Sequence, residues 1–480
     1  MKILLIHPRV IGREPTSFPL GLGYVARYLI DAGHNVQALD MHANKYTIED
    51  AIKRLKDYDF DVIGLTGIVT QYNYIKKLVG KIKELHPKKK IVIGGPLATI
   101  VPELLLQKTV VDVVVVGEGE LTAVDLAKTL EKNGNLNKVR GIYFRTGRKI
   151  VKTAPRPLIQ NLDDVPFPAW DIFPIEIYLK YHIYGYGDFN SMNLLTGRGC
   201  PYKCIYCNDA FHNQSRLRSP ENIIEEMEVL KEKYKVSRFS FSDETFVVNR
   251  DRVVKFCNLL IEKKMNITWD AAGRVNVSDL ELLKLMKKSG CVALLYGIES
   301  ANQKNLNTIR KGVTLEQQYE GVMNAKKAGV HPRVSIMIGI PGETKESIED
   351  TVRYMKKVNE LEYFFYFTPY PGTPVWAEVK RKGLVKDDDE YLSRFGDGTG
   401  FGERIYLNMT DFSDDELKRL KEEAQRRMFI NYMKNNALFL PFMALKKCKD
   451  VGLPRFGYLS MHVIKTLLNI KQQNKLSKGV

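Results

Sequence analysis

Three cysteines in one short run carry the strongest chemical signal in this chain. Arg198-Gly199-Cys200-Pro201-Tyr202-Lys203-Cys204-Ile205-Tyr206-Cys207 spaces them as Cys-x-x-x-Cys-x-x-Cys. Three thiolates fall short of the four ligands that close a tetrahedral zinc site, and a zinc reading has to borrow His212. A cubane iron–sulfur cluster fits the count better. Each of its irons wants one ligand from outside the core, so three cysteines leave one iron open, as a catalytic metal requires. Of the remaining cysteines, Cys257 and Cys291 sit among apolar neighbours and read as packing residues, while Cys448 lies near the C-terminus. Such scatter is no disulfide framework and points to a reducing compartment.

A loop of this kind needs rigid elements to hold it. Residues 1–150 alternate apolar strands, KILLIH (2–7), NVQAL (35–39), DVIGLTG (61–67), KIVIGG (90–95) and VDVVVVGEG (111–119), with helical stretches. Continuous apolar strands between helices predict a parallel sheet buried on both faces, in a doubly wound, flavodoxin-like α/β domain. Ligands of such domains bind beyond the strand carboxyl ends. Those ends carry Thr66-Gly67, Gly94-Gly95-Pro96 and Gly117-Glu118-Gly119-Glu120. Glycines there let a bulky ligand approach the backbone; the plain alternative is tight turns. Gly21-Leu22-Gly23-Tyr24-Val25-Ala26 has the glycine spacing of a dinucleotide site but does not directly follow a strand, so it is set aside.

Residues 151–186 form a linker rich in proline and aromatics (DDVPFPAWDIFP), expected to pack between domains. The βα rhythm resumes over 187–385, with strands at 193–197, 238–243, 267–273, 291–300, 333–343 and 363–370, enough for a partial (β/α)6 barrel whose chemistry sits at the strand carboxyl ends. The cysteine loop follows the first of these strands. Residues 386–480 read as a helical, basic C-terminal region.

Composition sets the outer bounds. A chain of 480 residues suggests about three domains, and 44% hydrophobic with 27% charged residues is ordinary for globular protein. No apolar run approaches the roughly 20 residues that span a bilayer, and the N-terminus reads as a first strand rather than a signal peptide, so the expected location is cytoplasmic. The net charge of +17 is concentrated at the end, where Met428 to Val480 holds nine Lys/Arg and one acid, Asp450. That stretch mixes apolar and basic residues. It is either a helical cap on the barrel or an interfacial segment on anionic lipid, at the inner face of the membrane. No motif supports specific nucleic-acid binding.

The cysteine run resembles the cluster motif of the radical S-adenosylmethionine (radical SAM) superfamily. The order of later motifs agrees: Asp243-Glu244 in FSDETF, Arg274 in AAGRVN, Glu299 in GIES, Gly339-Ile340-Pro341-Gly342-Glu343, then Tyr366 and the TPYPGTP segment. GLTGIVTQYN, IVIGGPLATIVPE and VVVVGEGE resemble the cobalamin domain of cobalamin-binding radical SAM enzymes, and with them the similarity covers about 1–385.

This resemblance implies a [4Fe-4S] cluster on Cys200, Cys204 and Cys207. It implies S-adenosylmethionine contacts from Tyr206, Asp243, Glu244, Arg274, Glu299, Gly339, Ile340 and Pro341. It implies cobalamin contacts from Thr66, Gly67, Gly94, Gly95, Pro96, Gly117, Glu118 and Gly119. An Asp-x-His-x-x-Gly run after strand one is missing; His7-Pro8-Arg9-Val10 stands there, and Asp40-Met41-His42 has half the pattern after strand two. No histidine ligand below the cobalt is therefore expected.

The implied activity is methyl transfer from methylcobalamin to an unactivated carbon, after hydrogen abstraction by a 5′-deoxyadenosyl radical. Cyclisation or oxidative ring formation without methyl transfer is the rival, and a non-catalytic cluster or cobalamin sensor the more distant one. The substrate would be a small molecule, with lipid, isoprenoid and tetrapyrrole as candidates, and the electron donor a ferredoxin or flavodoxin. Tyr178, Tyr181, Tyr184 and Tyr186 are candidates for the substrate entrance or for linker packing.

Overall fold

The first sheet is built around strand β1 (Lys2–His7), whose alternate residues enter two different cores. Leu4 and Ile6 pack to one side, Ile3 and Leu5 to the other. A strand apolar on both faces must be covered on both faces, which is the condition for a doubly wound sheet. A computed structural model describes residues 1–180, 190–208, 211, 213–277, 279–362, 364–396 and 402–436.

Beside β1 lie β2 (Asn35–Asp40), β3 (Val62–Thr66), β4 (Lys90–Gly94) and β5 (Val113–Val115), all parallel. The hairpin β6 (Ile142–Thr146) and β7 (Lys149–Lys152) then adds two antiparallel strands, giving the order β2-β1-β3-β4-β5-β6-β7. The hairpin was not foreseen and carries the domain past the expected boundary at 150. Its short strands lack the long apolar runs that mark the buried parallel ones. Helix Leu20–Asp31 covers the β1 face that holds Ile3 and Leu5.

The linker packs, as its aromatics suggested. Trp170, Phe173 and Tyr178 are buried, and Ala169 N donates to Gly23 O at 3.0 Å. The second sheet starts with β8 (Asn190–Leu194), three residues earlier than the sequence pattern placed it. The minor pair β9 (Gly197–Arg198) and β10 (Arg216–Leu217) brackets the cysteine loop. Then come β11 (Val236–Phe241), β12 (Thr268–Gly273), β13 (Cys291–Glu299), β14 (His331–Ile338) and β15 (Phe364–Tyr366). Strands β8 and β11 to β15 are parallel in the order β15-β14-β13-β12-β11-β8, with a helix between each pair, so the partial barrel is present. Its helices begin where capping chemistry dictates. Ser219, for instance, accepts from Asn222 N at 3.1 Å, with Pro220 at the first helical position.

The chain after β15 returns to the first domain. Trp376, Tyr391 and Phe395, on and after helices Pro374–Arg381 and Asp388–Ser393, share a core with Ile75 and Leu105, and Lys76 Nζ reaches Asp389 at 2.9 Å. This strap spans the expected boundary at 385. Helix Asp414–Asn435 instead covers the barrel, where Arg427 pairs with Glu349 at 2.6 and 2.7 Å. Among the described residues no helix is long and apolar enough to cross a membrane. The basic segment from 437, Tyr181, Tyr184, Tyr186, His212 and Cys448 lie outside the described residues.

Candidate active site between the two sheets

The cysteine loop is tied down on every side. Ile205 N donates to Ile309 O at 3.1 Å, and Ile205 O accepts from Val375 N at 3.0 Å. Arg274, from the end of β12, stacks 3.6 Å over the Tyr202 ring. Cys204 is buried, Cys200 half-buried and Cys207 exposed. The Cys204 and Cys207 thiols interact directly. The thiol hydrogen bond from Cys207, aided by the Lys311 and Arg274 cations, draws Cys204 down to about 6 against the effect of burial, and Cys207 moves up. A thiol pair with one easily ionised member suits metal ligation, because the thiolate is the ligand. Among the described residues no three cysteine, histidine, aspartate or glutamate side chains converge to hold a single ion. A cubane asks for a different arrangement, with its thiolates on different irons.

The strand ends around the loop carry the residues proposed to hold S-adenosylmethionine, in unequal states. Glu244 is exposed and accepts from Gly199 N at 3.2 Å. Asp243 is buried and turned back, accepting from Thr196 N at 2.6 Å and from the Thr196 hydroxyl. Burial lifts its carboxyl to about 6. Both Asp243 oxygens thus serve the β8 exit, and Glu244 is the carboxylate left to face a ligand.

Arg274 is less free than its fork suggested. Nη2 donates to Lys311 O and to Gly312 O (3.3 Å), and Nε to Asn276 at 3.4 Å. Glu299 stands at a β-bulge between Gly297 and Glu299, with φ +62. Bulges re-aim side chains next to sites. Here the turned carboxylate accepts through Oε1 from Tyr206 OH and Lys311 Nζ, both at 3.0 Å, while Oε2 is buried without a partner. An orphaned buried acceptor is costly unless a ligand hydroxyl or ammonium meets it, so this part of the site fits the nucleoside or amino-acid end of S-adenosylmethionine.

At the end of β14, Gly339 takes φ +89 and its N–H donates to Glu343 Oε2 at 2.6 Å; Asn305 Nδ2 donates to Oε1 at 3.1 Å. Burial lifts the Glu343 carboxyl to about 8. Ile340 is fully buried, Pro341 half-buried, and Leu417 of the covering helix packs on Gly339. Tyr366 is buried under Lys421, whose ammonium lies 4.0 Å from the ring centre.

Facing the cysteine loop, the first domain opens into a cavity of about 460 Å³. It runs down one face of β1, from His7 past Leu5 and Ile3 to Met1. Its mouth carries Thr66, Gly94, Gly95, Pro96, Gly117, Glu118 and Gly119, with Leu195, Arg198, Phe211 and Glu244 from the barrel side. The glycines keep it open: a Cβ on Gly21 or Gly117 would meet nothing within 4 Å. This long, apolar, glycine-walled slot fits an extended ligand with a flat, bulky head at its mouth. Gly67 does not join the wall; its Cβ position is filled by Ile75. Glu118 lines the cavity but has committed both oxygens, Oε1 to Arg198 (2.7 Å) and Arg216 (2.9 Å), Oε2 to Ile159 N (2.7 Å).

Sequence reasoning missed several wall residues. Gly21 and Tyr24, in the run set aside as a false dinucleotide motif, line the cavity because helix Leu20–Asp31 lies along it. His7 also reaches the wall, its Nδ1 held by Asp40 (3.1 Å) and Tyr178 OH (3.2 Å), so Tyr178 is packed against the first domain rather than at an entrance. His42 does not line the cavity; burial lowers it to about 4. Lys311 was missed too, since a lone lysine in a loop has no pattern around it.

Comparisons with known proteins agree with this geometry. A Radical SAM superfamily model matches residues 194–355 and a B12 binding domain model matches 7–127. An uncharacterised methyltransferase of Pyrococcus horikoshii is 36% identical over 80% of this chain and 84% of its own. An anaerobic magnesium-protoporphyrin IX monomethyl ester cyclase of Rubrivivax gelatinosus is 28% identical over 82% and 72%. The structure of the cobalamin-dependent S-adenosylmethionine radical enzyme OxsB, with aqua-cobalamin and S-adenosylmethionine bound, shares the fold at TM-score 0.72 and 19% identity, covering 99% of this chain and 71% of that one. With its thiol loop, its orphaned strand-end acceptor and its glycine-walled cavity in these two matched regions, the chain belongs to the cobalamin-binding radical SAM enzymes, whose cofactors are a [4Fe-4S] cluster, S-adenosylmethionine and cobalamin.

Proposed function

We propose that this enzyme transfers a methyl group to an unactivated carbon of a small molecule. The observation that carries the reading is the shared wall: Arg198 and Glu244, beside the cluster cysteines, line the same cavity as the glycine-bearing strand ends of the cobalamin domain. When bound, the cofactors supply a carbon-centred radical that takes a hydrogen atom from the substrate and a methyl group to replace it.

The chain's own part is placement and exclusion of water. Cys200, Cys204 and Cys207 hold the cluster. Glu244, Glu299 and the loop from Gly339 to Pro341 hold S-adenosylmethionine. Thr66, Gly94, Gly95, Pro96, Gly117 and Gly119 make room for the corrin, and the slot along β1 takes the tail of cobalamin. A ferredoxin- or flavodoxin-class protein supplies the electron.

The relative from Pyrococcus, 36% identical, is named a methyltransferase, which supports methyl transfer over ring closure. The test is anaerobic turnover of the reconstituted chain with candidate lipid and tetrapyrrole substrates. Formation of both 5′-deoxyadenosine and S-adenosylhomocysteine, with a product heavier by one methylene, is expected. Deoxyadenosine alone, with a product that has lost two hydrogens, would place the enzyme with the cyclase relative instead.

A further inference from the structure

Lys311 is a buried cation paired with the buried Glu299 carboxylate. Its side chain is 9% exposed, and an ammonium so placed is costly unless its protons are used. Two of them are: Nζ donates to Glu299 Oε1 at 3.0 Å and to Tyr206 OH at 3.1 Å. Tyr206 lies between Cys204 and Cys207 in the chain, so the ammonium is anchored to the ligand loop itself.

The backbone around Lys311 reinforces this. Ile309 O holds Ile205 N, and the carbonyls of Lys311 and Gly312 hold the Arg274 guanidinium that stacks on Tyr202. Gly297 beneath the pair has no room for a side chain. A Cβ there would lie 2.7 Å from Lys311 Nζ and would also collide with Glu299 Oε1. The ion pair therefore lies close over the end of β13.

Tyr206 OH donates to Glu299 Oε1 at 3.0 Å and accepts from Lys311 Nζ at 3.1 Å, so one phenol of the ligand loop holds both ends of the pair beside the cysteines.

We propose that Lys311 is a positioning residue that tunes the cluster. Its ammonium, clamped by Glu299 and Tyr206 against the loop of Cys204 and Cys207, stabilises the more negative, reduced cluster. The step concerned is a simple electron transfer. A low-potential one-electron donor of the flavodoxin or ferredoxin class, or dithionite in the tube, is oxidised by one electron. The cluster passes from the [4Fe-4S]2+ to the [4Fe-4S]+ level with no bond made or broken. A fixed positive charge nearby makes that gain easier in a water-poor site.

The inference rests on the cluster assignment and not on the identity of the substrate. The test is a redox titration of the full-length chain, loaded with cluster and cobalamin, in wild-type form and as Lys311→Met and Lys311→Arg. The reduced-cluster signal in electron paramagnetic resonance is followed against poised potential, with iron content and unfolding temperature as controls. Lys311→Met is expected to show a tenfold lower ratio of reduced to oxidised cluster at the wild-type midpoint, a shift of about 59 mV to more negative potential for a one-electron couple. Lys311→Arg is expected to stay near wild type. If Lys311→Met folds without taking up a cluster while Lys311→Arg takes one up, the cation holds the loop rather than tuning the cluster, and the proposal is overturned. A wild-type midpoint in Lys311→Met overturns the proposal while leaving the cluster assignment intact, and so does loss of the cluster from both variants.

Discussion

Arg198 Nη1 meets Glu118 Oε1 at 2.7 Å, across the junction of the two main domains. Its Nη2 meets Glu120 at 2.6 Å, and Arg216 shares Glu118 at 2.9 Å. Both residues of the pair are buried. Arg198 stands two residues before Cys200, the first cysteine of the loop, and Glu118 lines the cavity of the first domain. One guanidinium thus fixes the cavity mouth to the cluster loop. Breaking it by Glu118→Ala leaves Arg216 without its carboxylate, and loss of one partner of a buried pair costs about 3–5 kcal/mol. Urea unfolding of the apo-protein should show that loss, and the visible spectrum should show reduced cobalamin occupancy after gel filtration.

Gly21 separates the cavity from the fold. It lies in the first turn of helix Leu20–Asp31 and its Cβ position is open space. Gly21→Ala should leave the apo-protein as stable or about 0.5 kcal/mol more so, because glycine is the poorer helix former. Gly21→Leu should keep that stability while lowering cobalamin occupancy at least tenfold by filling the slot. Unfolding curves and cobalamin absorbance read the two effects separately.

Glu343 gives the enzyme a pH signature. Burial raises its carboxyl from 4.5 to about 8, above the unfolded value. Between those limits the native state binds the extra proton, so stability falls as pH rises through this window and levels off above it. Glu343→Gln keeps a neutral group and removes the titration. The unfolding temperature of wild type should drop relative to Glu343→Gln between about pH 5 and pH 8, and a constant difference between the two would refute the assignment.

The cysteines divide into two classes. Serine at Cys200, Cys204 or Cys207 should abolish the cluster's visible absorption and lower bound iron. Cys257→Ala should leave both unchanged, since Cys257 is fully buried among Phe256, Leu260 and neighbouring core residues. Its cost should appear only as a lower unfolding temperature.

Much of the architecture is legible in the order of residues alone. Parallel strands buried on both faces leave continuous apolar runs, and the glycines at their ends stand at the turns where a ligand approaches. The cysteine spacing marks a metal-binding loop without any fold. What the sequence could not show arises from contacts between residues far apart in the chain. Asp243 and Glu244 are adjacent acids, and only the path of β8 decides that Asp243 is consumed by Thr196 while Glu244 faces the cavity. Glu118 looks like a ligand contact until Arg198 and Arg216, some 80 and 98 positions on, take its oxygens. Lys311 carries no motif; the bulge at Glu299 and the loop of Tyr206 make it part of the site. The hairpin β6–β7 and the strap over the first domain are likewise tertiary outcomes, because short half-buried strands and amphipathic turns declare themselves only against the surface they cover. Periodicity records which face of an element is buried; the pairing of charges in the interior is decided by which elements the fold brings together.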